Sequence, residues 1–290
     1  MSIRTPVVAG RFYAAASDRL EQDVLSLLQT DCPHTSPQLG QLLGLMLPHA
    51  GYIYSGKVAG ATLACPWGES TAGACLPERI VVLCPNHTGQ GHPLGVWPEG
   101  EWLTPLGSVS VDRKMAAALC DGGEFAPDTR AHATEHSIEV LLPFLQCLPP
   151  PPGRSSRSIT PVCVGMHDPQ ALRRAGHVLA EAVRASEVQG QQVALLISSD
   201  MNHYEDQEKT LVRDARVLQQ ALTCDPEALL TTVAAEQSSM CGAHPLALAL
   251  YAAQALGSPQ AELIAYDTSA TASGDTHRVV GYAGLVLGLA

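Results

Sequence analysis

The stretch VALLISSDMNHY, residues 193–204, decides how this chain folds. Its first half is a short apolar run without polar alternation, the pattern of a strand buried on both faces, as in a parallel sheet. Its second half is a polar turn that places Asp200 and His203 directly after that strand. Working outward, similar runs occur at LLGLML (42–47), RIVVLC (79–84) and ITPVCVG (159–165), with AELIAY (261–266) and VVGYAGLVLGL (279–289) later in the chain. Helical patterns separate most of them. SDRLEQDVLSLLQ starts at a Ser17 cap, while Asp168 with Pro169 and Asp225 with Pro226 mark two further helix starts. Strands alternating with helices predict an α/β fold: a single domain over 1–290, with a largely parallel or mixed central sheet flanked by helices. Two segments depart from the alternation. LGVWPEGEWLTPLGSVSVD (94–112) reads as two short β-like pieces around a Pro-Glu-Gly turn, an insertion or a mixed-sheet edge. PPPPGRSSRS (149–158) reads as a surface loop, because the alternation resumes unchanged after it.

Composition narrows the function. Of the 290 residues, 46% are hydrophobic and 16% charged, which fits a globular chain with a sizeable core. A formal charge of -11 argues against nucleic acid and anionic membrane surfaces, since both are held by clustered Lys and Arg. The first residues, MSIRTPVVAGRFYAAASDRL, lack a basic segment followed by a long apolar one, and no uncharged run reaches the length of a spanning helix. The expectation is a soluble cytoplasmic protein. Nine cysteines, an odd number without a CxxC pair, resemble neither a disulfide framework nor a zinc finger. Cys84 and Cys163 sit inside apolar runs and read as small core hydrophobes.

In open α/β sheets, ligands bind beyond the carboxyl ends of the strands. PHAGYIYSG places His49 there, PNHTG places His87, and SDMNHY places Asp200 and His203. Imidazole is both a common metal ligand and a proton shuttle, so several strand-end histidines on one edge point to a shared site. Gly51, Gly56 and Gly89 flank them and permit tight turns. ATEHSIEVLLPFL adds Glu135, His136 and Glu139 at or near the start of an amphipathic helix, where carboxylates suit the helix dipole. MCGAHPLALAL adds Cys241 ahead of a helix marked by Pro245, a position expected to lower a thiol pKa. Two imidazoles and a thiolate suit zinc, iron or copper better than magnesium or calcium. Cys241 acting as a nucleophile with a histidine base is the metal-free alternative. The chain has no GxSxG elbow, Walker loop or GxGxxG after a strand.

Together, PVVAGRFY, PHAGYIYSG, PNH, EHSIEVLLPF, SSDMNHY, CGAHP, YDTSA and VGYAGLV resemble the Memo family, also called AmmeMemoRadiSam system protein B, in family order from about residue 4 to 288. The resemblance implies a fold related to class III extradiol dioxygenases, the non-heme iron enzymes that open catechol rings. It implies metal ligands at His49, His87 and Cys241, with Asp200, His203 and His136 as further pocket residues. His203 resembles the acid/base histidine of the dioxygenases. Their iron is held by two histidines and a carboxylate, so a cysteine in third place departs from ring-opening chemistry. The resemblance implies a divalent transition metal (Fe, Cu or Zn) and a metal-dependent oxidoreductase. A non-catalytic pocket for a peptide or small ligand is the alternative. The family name implies association with an AMMECR-type protein and a radical SAM protein.

Overall fold

Four apolar segments pair in parallel at the middle of one sheet, in the spatial order Ser158–Val164, Arg79–Pro85, Val193–Ser198, Gln41–Leu47. The structure is a computed structural model that describes residues 2–30, 39–65, 76–150 and 156–290. Register aligns the strand ends: Pro85 lies opposite Val164, Leu83 opposite Ile197, and Leu47 opposite Ser198. The loops that follow therefore leave from one edge. Alternate side chains enter two cores, Val81, Leu83, Leu195 and Ile197 on one face and Ile80, Val82, Ala194 and Leu196 on the other. Both faces are covered, which is why these strands show no polar alternation. The first core packs helices Arg113–Asp121, Pro169–Val188, Gln207–Leu222 and Ala243–Leu256, the second Ser17–Leu28, Tyr52–Ala64 and Leu142–Cys147.

The sheet is mixed at both margins. Val279–Leu289 runs antiparallel to Gln41–Leu47, and its other contacts, with Pro259–Thr268 and His203–Glu205, are also antiparallel. Its first residues consequently lie at the edge where the parallel strands end. On the far side the segment that breaks the alternation supplies three strands, Leu94–Val96, Glu101–Thr104 and Gly107–Val111, and so forms a mixed-sheet margin. Twelve strands share the sheet among the described residues. No helix among them is long and apolar enough to cross a membrane. Residues 151–155 of the Pro-rich run, and Cys32, lie outside the described residues. Cys84, Cys120, Cys147, Cys163, Cys224 and Cys241 are free thiols, and Cys65 is disulfide-bonded.

The helix starts behave as expected at Asp168, which accepts the Gln170 N–H, and at Asp225, which accepts the Glu227 and Ala228 N–H groups. One expectation needs correction and another is sharpened. Ser17 is the first helical residue, preceded by Ala16 in the cap position without a side-chain cap bond. ATEHSIE is a loop up to Ile138, and its last residue opens the 3-10 turn Glu139–Leu141 that runs into helix Leu142–Cys147; Glu139 thus stands at the helix start, and Glu135 and His136 lie in the loop before it. The cause is that its carboxylates turn inward. Glu139 is fully buried, pairs with Arg4 Nη1 at 2.7 Å, and accepts hydrogen bonds from the Val7 and Val8 N–H groups and from the Tyr13 hydroxyl at 2.7 Å. Arg4 in turn donates to the carbonyls of His132 and Glu135 and stacks over Trp102. The N-terminal segment is thereby fastened across the loop. Removing one partner leaves the other charge buried and unpaired, at a cost of about 3–5 kcal/mol. Glu139→Ala is expected to lower the urea midpoint by that loss; an unchanged midpoint would refute the anchoring role.

Candidate metal centre

His49 follows the Gln41–Leu47 strand and is 2% exposed. Its Nδ1 lies 2.7 Å from Ser198 Oγ, and that hydroxyl donates its single proton to the Ser137 carbonyl at 2.7 Å. Ser198 can only accept from the ring, so Nδ1 carries the proton and Nε2 keeps its lone pair. Burial, and then the neighbouring His87 and His136, push the His49 pKa well below its ordinary value. The imidazole is neutral near pH 7.

His87 repeats the device with a carboxylate. Glu135 Oε1 lies 2.9 Å from His87 Nδ1, and Oε2 accepts the His87 backbone N–H at 2.8 Å. Burial opposes ionisation of Glu135, but hydrogen bonds from His87 and Ser137 bring its pKa down to about 2. An ionised acceptor fixes a proton on His87 Nδ1, so in the neutral ring Nε2 is the nitrogen that carries the lone pair. Burial lowers the His87 pKa, and the Glu135 hydrogen bond and charge more than reverse this, for a net rise. The ring of His136 stacks on His87 with centroids 5.0 Å apart, and its pKa is lowered chiefly by burial. Glu135, His87 and His136 also lie close enough for a shared ion. Glu135 already accepts from His87, His136 and Ser137, so it acts here as an orienting carboxylate.

Cys241 comes from the other side of the sheet edge. Gly242 N–H donates to Ser199 Oγ at 3.0 Å, and a Cβ on Gly242 would fall 2.3 Å from the Ser199 Cβ, so a glycine is needed for this approach. Cys241 Sγ lies 3.5 Å from His49 Nε2 and receives the Asp200 N–H at 3.2 Å. The expected lowering of the thiol pKa is overturned. Burial and then the Asp200 charge raise it, outweighing the hydrogen bonds from the Asp200 N–H and the Ser199 side chain. Asp200 joins the two ligand candidates: its Oδ1 accepts the His49 N–H at 2.8 Å while its own N–H meets the sulfur. Burial raises the Asp200 pKa, with the His49 N–H opposing.

His203 starts the short strand next to Val279–Leu289. Its Nδ1 faces the Ser239 carbonyl at 3.0 Å, which can only accept, so its Nε2 is also free. Burial lowers its pKa, with Asp200 opposing. Asn202 accepts from the Ser239 N–H, and the Asn202 N–H donates to Asp214, which Tyr266 also contacts at 2.6 Å. Tyr204, beside His203, has φ 61, a left-handed conformation rare for a bulky residue. A cavity of about 700 Å³ opens here, with His49, His87, His136, Asp200 and His203 in its wall and Arg11, Phe12, Tyr204 and Tyr282 around them.

All six expected residues thus meet at one edge, and the ligand atoms of His49, His87 and Cys241 lie within 4.8 Å of one another. Of the flanking glycines, Gly51 caps helix Tyr52–Ala64 and Gly89 turns at φ +64. Gly56 lies inside that helix, where a Cβ would come 2.7 Å from Leu27, so its role is packing and not a turn. Sequence reasoning missed Ser198, Ser137 and Ser239, which carry no signal beyond proximity to the motifs.

Fold and site define a mixed α/β protein with a His-His-Cys group that could hold a metal ion. Residues 4–286 match the family described as Memo-like protein, and the chain belongs to that family. It is 38% identical to a MEMO1 family protein of Methanopyrus kandleri over 98% of both chains. It is 40% identical to one of Thermotoga neapolitana over 98% of this chain and 99% of the relative. A Methanosarcina mazei relative is 35% identical over 99% of this chain and all of its own.

Asp214 offers a test of the support beneath His203. Burial raises its pKa from 3.8 to about 6. A raised carboxyl pKa means that the folded state holds the proton more tightly than the unfolded state. Its stabilising contribution is full below about pH 4 and is lost as pH rises through about 6. Asp214→Asn keeps an acceptor for Asn202 and stays neutral, so its stability relative to wild type should rise between pH 4 and 7 by about 2–3 kcal/mol. Parallel urea titrations across that range check this; a constant difference would contradict it.

Proposed function

We propose that this Memo-family chain is a metal-dependent oxidoreductase acting on a small organic substrate, with a divalent transition metal on His49 Nε2, His87 Nε2 and Cys241 Sγ. One observation carries the reading: His49, His87 and Cys241 offer ligand atoms within 4.8 Å of one another, with both imidazoles held at Nδ1 and the sulfur supported by the Asp200 N–H. The separation of His49 Nε2 from Cys241 Sγ, 3.5 Å, fits the donor set. Bonds of about 2.0–2.1 Å to nitrogen and about 2.3 Å to sulfur on a tetrahedral ion set these atoms about 3.5 Å apart. The mixed nitrogen and sulfur set favours iron, copper or zinc over magnesium or calcium.

When bound, such a metal supplies Lewis acidity and, if iron or copper, one-electron redox capacity. The chain supplies the rest. Ser198 and Glu135 hold the two imidazoles in the ligating tautomer, and such partners are worth about 10–100-fold in metal affinity. The Asp200 N–H supports the deprotonated sulfur. His203 Nε2, unprotonated and facing the cavity wall, accepts a proton from a bound substrate. The cavity of about 700 Å³ suits a small molecule. The raised thiol pKa disfavours free Cys241 as a nucleophile.

Untagged protein purified without chelator should carry one equivalent of Fe, Cu or Zn, lost in Cys241→Ala and in His49→Ala. Absence of stoichiometric metal, with Cys241→Ala indistinguishable from wild type, would sink the reading. After anaerobic loading with Fe(II), oxygen uptake across a catechol panel should be lost in His203→Ala while the metal stays bound. Retained metal without uptake in wild type would instead identify a binding module. Glu135→Gln should weaken metal binding about 10–100-fold in a chelator competition.

A further inference from the structure

Two histidines outside the pocket face each other. His167 lies in GMHDP, in the loop after strand Ser158–Val164 and directly before the Asp168 cap. His244 lies in CGAHP, in the first turn of helix Ala243–Leu256. Their rings stand at 84° with centroids 4.4 Å apart, and His167 Nδ1 is 3.4 Å from His244 Nε2. Two nitrogens bound at about 2.0–2.1 Å to a tetrahedral ion lie about 3.3 Å apart. The pair therefore already has the bite of a chelate.

Three features support that geometry. Burial and the neighbouring His167 push the His244 pKa down to about 4, so its ring is neutral near pH 7. Among the described residues, the only hydrogen-bond contact of either ring is with the other. The helices behind them are locked together: a Cβ on Gly176 would fall 2.5 Å from Tyr251 Cβ and 3.1 Å from the Leu248 carbonyl, so helices Pro169–Val188 and Ala243–Leu256 cross in backbone contact. That crossing fixes the separation of their N-terminal ends, and little ordering is left for an ion to impose. His167 is exposed and His244 half-buried, which leaves room for water ligands.

Electrostatics selects the kind of ion. Both helix N-termini present partial positive charge and oppose a cation, which the Asp168 carboxylate beside His167 offsets only in part. Binding must come from imidazole lone pairs, and this favours zinc, copper or nickel over calcium or magnesium. We propose that His167 and His244 form a second, solvent-accessible transition-metal site, completed by water and one helical turn beyond Cys241. This inference does not depend on the function proposed above.

Titration of metal-free, untagged protein with Zn(II) in a calorimeter tests it. Wild type should bind one equivalent more than His167→Ala and His244→Ala, while His177→Ala, an exposed histidine on the neighbouring helix, should match wild type. His167→Ala alters an exposed loop residue and serves if His244→Ala fails to fold. In Cu(II)-loaded Cys241→Ala, adding His167→Ala should remove one bound equivalent together with its share of the nitrogen hyperfine signal. Equal stoichiometry in wild type and His167→Ala, or an equal loss in His177→Ala, would overturn the proposal. If the centre at Cys241 holds no metal, wild type would bind the single outer equivalent, still lost in His167→Ala, so the two failures are distinguishable.

Discussion

In-register parallel pairing of the central strands is the constraint from which the rest follows. Because Leu83 lies opposite Ile197 and Leu47 opposite Ser198, three strands stop at a common level. The chain must turn at that edge after each of them, and the segments that follow hold His49, His87, Asp200 and His203. The site is a by-product of topology, made specific by the residues in the turns. A slip of one residue in any strand would exchange its core face for the opposite one and carry its histidine out of reach.

What holds the turns is a set of polar contacts that also decides where protons reside. Ser198 on His49, Glu135 on His87 and the Ser239 carbonyl on His203 each engage the ring nitrogen away from the cavity. Three imidazoles are thereby presented in the same tautomer. A cluster of unconstrained histidines would sample both tautomers and pay that disorder on binding an ion. Here that cost is met during folding, by serines and a carboxylate that hold the rings whether or not an ion is bound.

The strand-end histidines were legible because apolar runs in a parallel sheet have one meaning for position: whatever follows them lies at the carboxyl edge. Cys241 was legible as a participant, through its place ahead of a proline-marked helix, yet its protonation was misread. The helix-start rule assumes solvent near the sulfur, and Asp200 together with the surrounding core replaces it. Glu135 and Glu139 were visible as carboxylates in a helix-like pattern. Their inward turn depends on partners 48 and 135 residues away along the chain, His87 and Arg4, and local periodicity carries no trace of either. Gly56 shows the opposite limit, since it adjoins the His49 motif but serves the packing of its helix on Leu27.

The cavity wall joins Arg11 and Phe12, near one end of the chain, to Val280 and Tyr282, near the other. The first pair is tied down through Glu139, the second through antiparallel pairing of Val280 with His203 and of Tyr282 with Asp267. Both closures are long-range contacts, which form late when loop entropy must be overcome first. The cavity is in this sense a checkpoint, because its wall is complete only when both closures have formed. A reactive ion seated there would meet substrate only in molecules that have completed their fold.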